Sequence, residues 1–367
     1  MTTVVEVDPS HIDCEANLFQ SAFWARFKKM RGYDTQAFVI EHRGRRSPLV
    51  MVHRPCASDA VFGYVPHGPD IAIEEDRQGR FLETVAEKIR SRLPDRCWFL
   101  RFDLPWSSPY AEEFFHFPGR LERPEPRIRE MRMNFGCRRW NLRKAPSDMQ
   151  APDTVIIDLS ADPGRILDKM HKKTRYCVRS AFRRGVVVEH CGPEALALWH
   201  PMYLEMARRK GIEAEDDAYF HALFTTVERS AEPDIRLYLA FRDGEPLAGS
   251  LFAFHRRSAQ ATYLFSAASP AGRTHLAAYA VLWKAILDAK AFGCRWFDLF
   301  GIPPADAPDH PMHGLFRFKA RFGGHICHLR GSWDYPFDEK RYPLLALSGV
   351  DPRLAGAKSG PGPKTAA

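Results

Sequence analysis

The densest stretch of reactive side chains is KKTRYCVRSAFRRG, residues 172–185, which carries Lys172, Lys173, Arg175, Arg179, Arg183 and Arg184 and no acid. At about 100° per residue on a helix, Lys172, Arg175, Arg179 and Arg183 fall within roughly 80° of one another and form one basic stripe. A second run, 123–144, sets eight Lys/Arg against Glu125 and Glu130, and residues 169–188 hold seven with no acid. The 367-residue chain is only +8 overall, so the excess sits in two patches on a body that is otherwise net −5. Such patches suit an anionic partner: a nucleic acid, a phosphate-bearing substrate or an acidic membrane. Either run taken alone reads equally well as a solvated face.

Other chemistry is excluded more readily. The chain has no P-loop, no GxGxxG and no Ser-His-Asp spacing. His325, Cys327 and His328 in HICH come nearest to a metal cluster, but alternation along a strand splits them between two faces, so no metal site is expected. Eight scattered cysteines without a CxxC pair read as reduced thiols of a cytoplasmic protein. The N-terminal MTTVVEVDPSHIDCEA has acids where a signal peptide needs a basic and then an apolar run. No stretch approaches the ~18 apolar residues of a membrane span.

The elements that must position this chemistry repeat. Residues 36–42 alternate as a strand, RGRR turns, 48–54 and 60–66 return, 74–93 read as a helix and 97–103 as a buried strand. The same order recurs with 235–241, a turn at RDGEP, 247–254, 259–267, a helix over 274–292 and a strand over 294–301. Asp103 and Asp298 stand on the two closing strands. The expected fold class is therefore α/β: two tandem acetyltransferase-like (GNAT-type) units with mixed, mostly antiparallel sheets. Between them lie an Arg-rich connector (120–150), a strand (154–160) and a helix from about Pro163 to Gly185. Its Leu167, Met170, Val178, Ala181 and Phe182 are expected on the face opposite the basic stripe. A CoA-dependent enzyme of this fold needs a Gly-rich pyrophosphate loop before the helix of its unit. SPAGRTHLAAYA has one glycine there and GPDIAIEEDRQG has acids, so no CoA and no other cofactor is expected.

Taken in order, LFQSAFWARFK (18–28), GYVPHGP (63–69), QAPDTVIIDLS (150–160), MHKKTRYCVRSAFRRGVVVE (170–189), YLEMARRKGI (203–212), FDLFGI (297–302) and GLFRFKARFGG (314–324) resemble the FemABX family. These are tRNA-dependent aminoacyltransferases that build peptidoglycan cross-bridges, and the resemblance spans about residues 17–338. It implies transfer of an amino acid from aminoacyl-tRNA to the side-chain amine of the diamino acid in the stem peptide of a precursor, UDP-MurNAc-peptide or lipid II. It further implies a cytoplasmic monomer, with room for peripheral association at the inner face of the membrane. The implied units are 1–150 plus about 318–350 on the acceptor side and 151–317, with a disordered tail over 351–367. The coiled-coil insert of some members is absent, because ARRKGIEAEDDAYFHALF runs straight on.

Carried onto this sequence, the resemblance implies that Lys28 and Arg209 hold the acceptor's phosphates and that Lys319 stabilises charge at the reacting centre. It implies that Asp103 lies near the acceptor cleft as a catalytic carboxylate, that Tyr263 lines the cleft, and that Lys172, Arg175, Arg179 and Arg183 meet tRNA. As residues alone, Arg317, Lys319 and Arg321 share one face of an alternating strand opposite Phe316, Phe318 and Ala320. Asp103, read as exposed with a pKa near 4, would be a weak base, and Asp298 serves equally as a structural hydrogen-bond partner. Two positions depart from the family pattern, Cys177 for Asn and Ser266 for Gly. An aminoacyl ester is already activated, so alignment, positive charge for the oxyanion and loss of a proton from the attacking amine suffice. Two other readings stand beside this one: a related acyltransferase serving a polysaccharide or a protein N-terminus, and a non-catalytic RNA-binding protein.

Overall fold

The computed structural model describes residues 1–12, 17–57, 59–111, 124–228 and 232–343. The first half runs through β1 (Thr2–Val7), α1 (Ala22–Met30), β2 (Thr35–His42), β3 (Arg45–Ala57), β4 (Ala60–Val65), α2 (Gln78–Ile89) and β5 (Cys97–Ser107). A connector with α3 (Pro126–Met133) and the short β6 (Arg143–Lys144) leads to β7 (Asp153–Asp158), α4 (Pro163–Lys169) and α5 (Lys172–Arg183). Then follow β8 (Val187–Cys191), α6 (Leu196–Lys210), α7 (Asp217–Glu228), β9 (Asp234–Arg242), β10 (Glu245–His255) and β11 (Gln260–Ala268). The last described elements are α8 (Pro270–Thr274), α9 (Ala277–Phe292), β12 (Trp296–Asp298), α10 (His313–Ala320) and β13 (His325–Pro336).

The strands form one sheet in the order β1-β2-β3-β4-β5-β13-β7-β12-β11-β10-β9-β8, with β6 paired to β13. Counted outward from the middle the halves match, because only β4–β5 and β11–β12 are parallel and every other neighbour is antiparallel. The matching hairpins β2–β3 and β9–β10 turn on Arg43-Gly44 and Asp243-Gly244, all four with positive φ. That is the two-residue turn whose twist suits a hairpin, and it explains a glycine at the second position of each. The β11–β12 pairing lasts only from Gln260–Trp296 to Thr262–Asp298 before the strands part. The gap that opens beyond Asp298 is where a site can sit. Among the described residues, no helix is long and apolar enough to cross a membrane.

Helix α1 joins the halves. Its Phe23, Trp24 and Phe27 share a core with Trp199, Tyr203, Tyr219 and Phe220 of α6 and α7. Its Ala25 packs instead with Ala37 of β2 and Val50 of β3. Helices α6 and α7 are joined directly by residues 211–216, with no inserted hairpin.

Two sequence expectations are corrected. The single helix from Pro163 to Gly185 is broken at Met170 and His171, whose ψ values of 149° and 140° are extended. The Arg175 guanidinium fills the break, donating to the carbonyls of Asp168 (2.6 Å) and Met170 (2.7 Å). Phe182, expected on the buried face, is 42% exposed. The second correction concerns 316–320, which is helix α10 and not a strand. The tail at 351–367 lies outside the described residues.

Candidate active site

Where β11 and β12 part, Lys319 enters from α10. On a helix, Phe316 and Lys319 share a face three residues apart, so the turn that buries Phe316 also buries Lys319. Its Nζ donates to the carbonyl oxygens of Phe300 and, at 3.0 Å, Gly301, and lies 5.1 Å from the centre of the Tyr263 ring. The Phe300–Gly301 turn is itself held. Asp298 accepts hydrogen bonds from the Phe300 amide (2.8 Å) and the Thr154 hydroxyl, which gives it the structural role. Burial pulls the Lys319 ammonium down to about 7, against the attraction of Asp298. Tyr263 is buried, with its hydroxyl 3.5 Å from the Ser250 hydroxyl and Ser266 close by.

Lys28 occupies a cage built by both halves. Its Nζ lies 4.7 Å from the Trp24 ring centre, 5.2 Å from Phe27, 5.8 Å from Tyr33 and 5.7 Å from Tyr219 of α7. Burial lowers its ammonium to about 8, with Glu215 opposing the shift and Arg54 and Arg31 adding to it. Three cations thus converge on one spot. The chain reaches it from α6 through residues 211–216, where Asp216 pairs with Arg31 at 3.1 Å. Arg209 stands exposed near the end of α6 and pairs with Glu205 at 3.7 Å. Among the described residues, no hydrogen bond or ion pair joins Arg209 to the Lys28 group.

Aromatic rings connect the two lysines. Phe19 meets Trp24 edge-on at 4.8 Å and stacks with His67 at 4.8 Å and with Phe300 at 5.7 Å. Among the described residues His67 has a buried Nε2 with no hydrogen-bond partner, and burial drives its imidazole down to about 4, so it stays neutral. Sequence reading assigned no role to His67, Phe300, Tyr33 or Tyr219. The GYVPHGP and FDLFGI motifs were the only signals for the first two.

Asp103 is a correction. It is not exposed but buried, accepting hydrogen bonds from the hydroxyls of Tyr64 and Ser332. Burial raises its carboxyl to about 6, although both hydrogen bonds oppose the shift. The folded protein therefore holds this proton more tightly than the unfolded chain, and the resulting stabilisation is lost as pH rises from 3.8 to about 6. Asp103→Asn should flatten that decline in urea-unfolding free energy; a wild-type slope kept by the variant would rule out this origin.

The basic stripe divides. Lys172, Arg179 and Arg183 are exposed on α5, whereas Arg175 is half-buried and committed to the helix break. Beneath the stripe the Cys177 thiol lies beside the Tyr279 hydroxyl, and each is influenced by the other. Lys173 and Arg184 act on that thiol, and Arg321 and Arg317 on that hydroxyl, so α5's charge continues onto the element that carries Lys319. Elsewhere, His328 of HICH pairs with Asp153 at 2.6 Å, and no described group of three or more His, Cys, Asp or Glu is placed to hold a metal. A cavity of about 680 Å³ at the β2–β3 hairpin tip, lined by Arg45, Gln78 and Trp106 among others, shares no residue with these lysines.

A family model described as the FemAB family matches residues 10–241 and 238–348. No curated protein matches the sequence. Among solved structures, the crystal structure of FemX superposes with a TM-score of 0.73 at 15% identity, covering 94% of this chain and 100% of that one. A tandem GNAT protein from the clavulanic acid biosynthesis pathway, solved without AcCoA, superposes at 0.50 and 12% identity over 92% of this chain and 98% of its own. A conserved protein of unknown function from Bacteroides thetaiotaomicron does so at 0.50 and 12% over 91% and 99%. At these identities the likeness is one of fold, and the fold is the tandem acetyltransferase-like arrangement.

Proposed function

Because the chain belongs to the FemAB family, matched over residues 10–241 and 238–348, we infer an aminoacyltransferase that serves peptidoglycan cross-bridge formation. It moves an amino acid from aminoacyl-tRNA to the side-chain amine of the diamino acid in a precursor's stem peptide. The observation that supports this best is Lys319, a buried cation fixed by two carbonyls at the gap between β11 and β12.

The attacking amine first loses a proton, then forms a C–N bond to the ester carbonyl. The carbonyl oxygen takes up negative charge, the ester C–O bond breaks, and the tRNA ribose oxygen leaves with a proton. Two of the Lys319 hydrogens are committed to Phe300 and Gly301, and the third is left for the oxyanion in a site shielded from water. Lys28, with Arg31 and Arg54 nearby, suits a phosphate of the acceptor. Arg209 pairs with Glu205 on its own helix, and among the described residues no hydrogen bond or ion pair links it to that group.

The α5 surface suits the tRNA backbone. Replacing Lys172, Arg179 and Arg183 by glutamine should weaken tRNA binding and reduce its logarithmic salt slope by about 2–3. Arg175→Gln should instead lower stability and leave the slope alone. A salt slope unchanged in the triple variant would remove tRNA from this face.

The direct test is to incubate the protein with a panel of charged tRNAs and with both soluble and lipid-linked precursors, and to weigh the products. A precursor heavier by one or more aminoacyl residues is expected. Binding of tRNA without any adduct would sink the transferase reading, and an adduct on a polysaccharide or protein amine would move the activity to another acceptor.

A further inference from the structure

The connector between β5 and β7 holds a set of apolar side chains that the transfer reaction does not use. Ile128, Met131 and Phe135 recur at the three- and four-residue steps that place them on one side of α3 and its last turn. That side faces solvent: the three are 54%, 57% and 68% exposed, and Trp140 a few residues on is 48% exposed. The single buried residue of the helix is Met133, on the other side.

This ridge stands on a rigid base. The Met133 carbonyl lies so close over Gly79 of α2 that an added Cβ there would come within 1.6 Å of it. The Glu83 carboxylate accepts the backbone amides of Arg138 and Arg139, each at 2.8 Å. The Asn134 side chain bonds both the amide and the carbonyl of Leu142. Trp140 is presented from a left-handed backbone position (φ 53°), its carbonyl held by Arg143 at 2.8 Å. The apolar surface is thus held outward by satisfied polar groups beneath it.

Around the ridge stand the exposed Arg127, Arg132, Arg138 and Arg139. The acids that face this segment are Glu75, Asp76, Glu83, Glu87, Glu125 and Glu130. Arg132 pairs with Glu75 and Arg139 with Glu87, Glu83 is capped by backbone amides, and Glu130 accepts the Lys144 amide. Arg127 and Arg138 have no carboxylate partner among the described residues. Isoleucine, methionine, phenylalanine and tryptophan side chains fringed by arginines match the boundary between acyl chains and phosphate headgroups.

We propose that the α3 segment is a docking surface for an anionic phospholipid bilayer, entered by Ile128, Met131, Phe135 and Trp140 and held by Arg127 and Arg138. The contact is peripheral, since no described helix can span a bilayer. The proposal rests on the transfer reading only for its use, which is to bring the enzyme to a lipid-linked acceptor.

The test is co-sedimentation of the whole protein, without tRNA or precursor, with vesicles of phosphatidylcholine containing phosphatidylglycerol and with vesicles of phosphatidylcholine alone. Binding to the anionic vesicles should be about tenfold or more stronger, and should weaken with salt. Met131→Ser/Phe135→Ser/Trp140→Ser should cut it about tenfold or more. Arg127→Glu/Arg138→Glu should do the same by charge alone, and it decides the matter if the triple variant fails to keep the wild-type circular dichroism. No preference for anionic vesicles, or binding that the charge variant retains, overturns the proposal. So does a wild-type dimer that the ridge variant makes monomeric, which would give the surface to a second copy. None of these outcomes bears on transfer itself, because no transfer is read.

Discussion

Lys319→Met should lower single-turnover transfer by about 10²–10³-fold while leaving acceptor affinity within about twofold. The side chain touches the gap between β11 and β12 and the Phe300–Gly301 turn, and makes no contact with the Lys28 cage. Its ammonium is lowered to about 7, so it is charged below that pH and neutral above it. If charge is its contribution, the transfer rate should carry a falling limb above about pH 7, against the rising limb from deprotonation of the attacking amine. The methionine variant should keep the rising limb alone. The stability effect has its own sign: a lysine whose folded pKa lies below 10.5 gives stability that rises with pH between about 7 and 10.5, and the variant should lose that slope. Equal loss of affinity and turnover would put Lys319 in a different role.

Lys28→Met should weaken binding of a phosphate-bearing precursor by about 10–100-fold and leave turnover at saturation largely intact, as expected for losing one charge-assisted contact. Lys28→Arg should not rescue it. Four aromatic rings lie within 5.8 Å of Nζ. The Arg31 and Arg54 guanidiniums already lie against two of them, Tyr219 at 5.7 Å and Tyr33 at 5.6 Å, which leaves no ring face for a third planar fork there. Because burial lowers this ammonium to about 8, acceptor affinity should fall as pH rises through that value, and the methionine variant should show no such step. Calorimetric titration with the soluble precursor reads both effects. Unchanged affinity in Lys28→Met would remove the phosphate from this cage.

The repeat was legible because its signals are local. Alternating strands and the RG and DG turns place both hairpins, and β9–β11 begin and end within two residues of where the alternation does. The last motif misled for a local reason too. In FRFKARF, phenylalanines at 316, 318 and 322 satisfy a two-residue alternation, while Phe316, Lys319 and Phe322, all buried, satisfy a helical one. Tertiary packing of Phe316 and Phe322 into the second-half core decides between them. The break at Met170–His171 has no proline or glycine to announce it, because its carbonyls are satisfied by an arginine side chain. Burial of Lys28 could not be read at all, since the cage needs Tyr219 from a helix far along the chain. Asp103 was read as exposed for the same reason, as Ser332, 229 residues away, closes over it.

That last contact sets an order of assembly. β13 is the central strand that lies between β5 and β7, yet it is the last strand described, and Lys319 lies just before it. During synthesis at ~5–20 residues per second, the first half must wait through all of the second before its inner edge is covered. Until then β5 presents an unpaired edge, a hazard for association with other chains. The carboxylate of Asp103, the pairing of Arg101 with Asp334 across 233 residues and the buried Lys319 are then secured together in the final step of folding. An incompletely made chain therefore lacks both the closed Asp103 pocket and Lys319 in its place beside the Phe300–Gly301 turn.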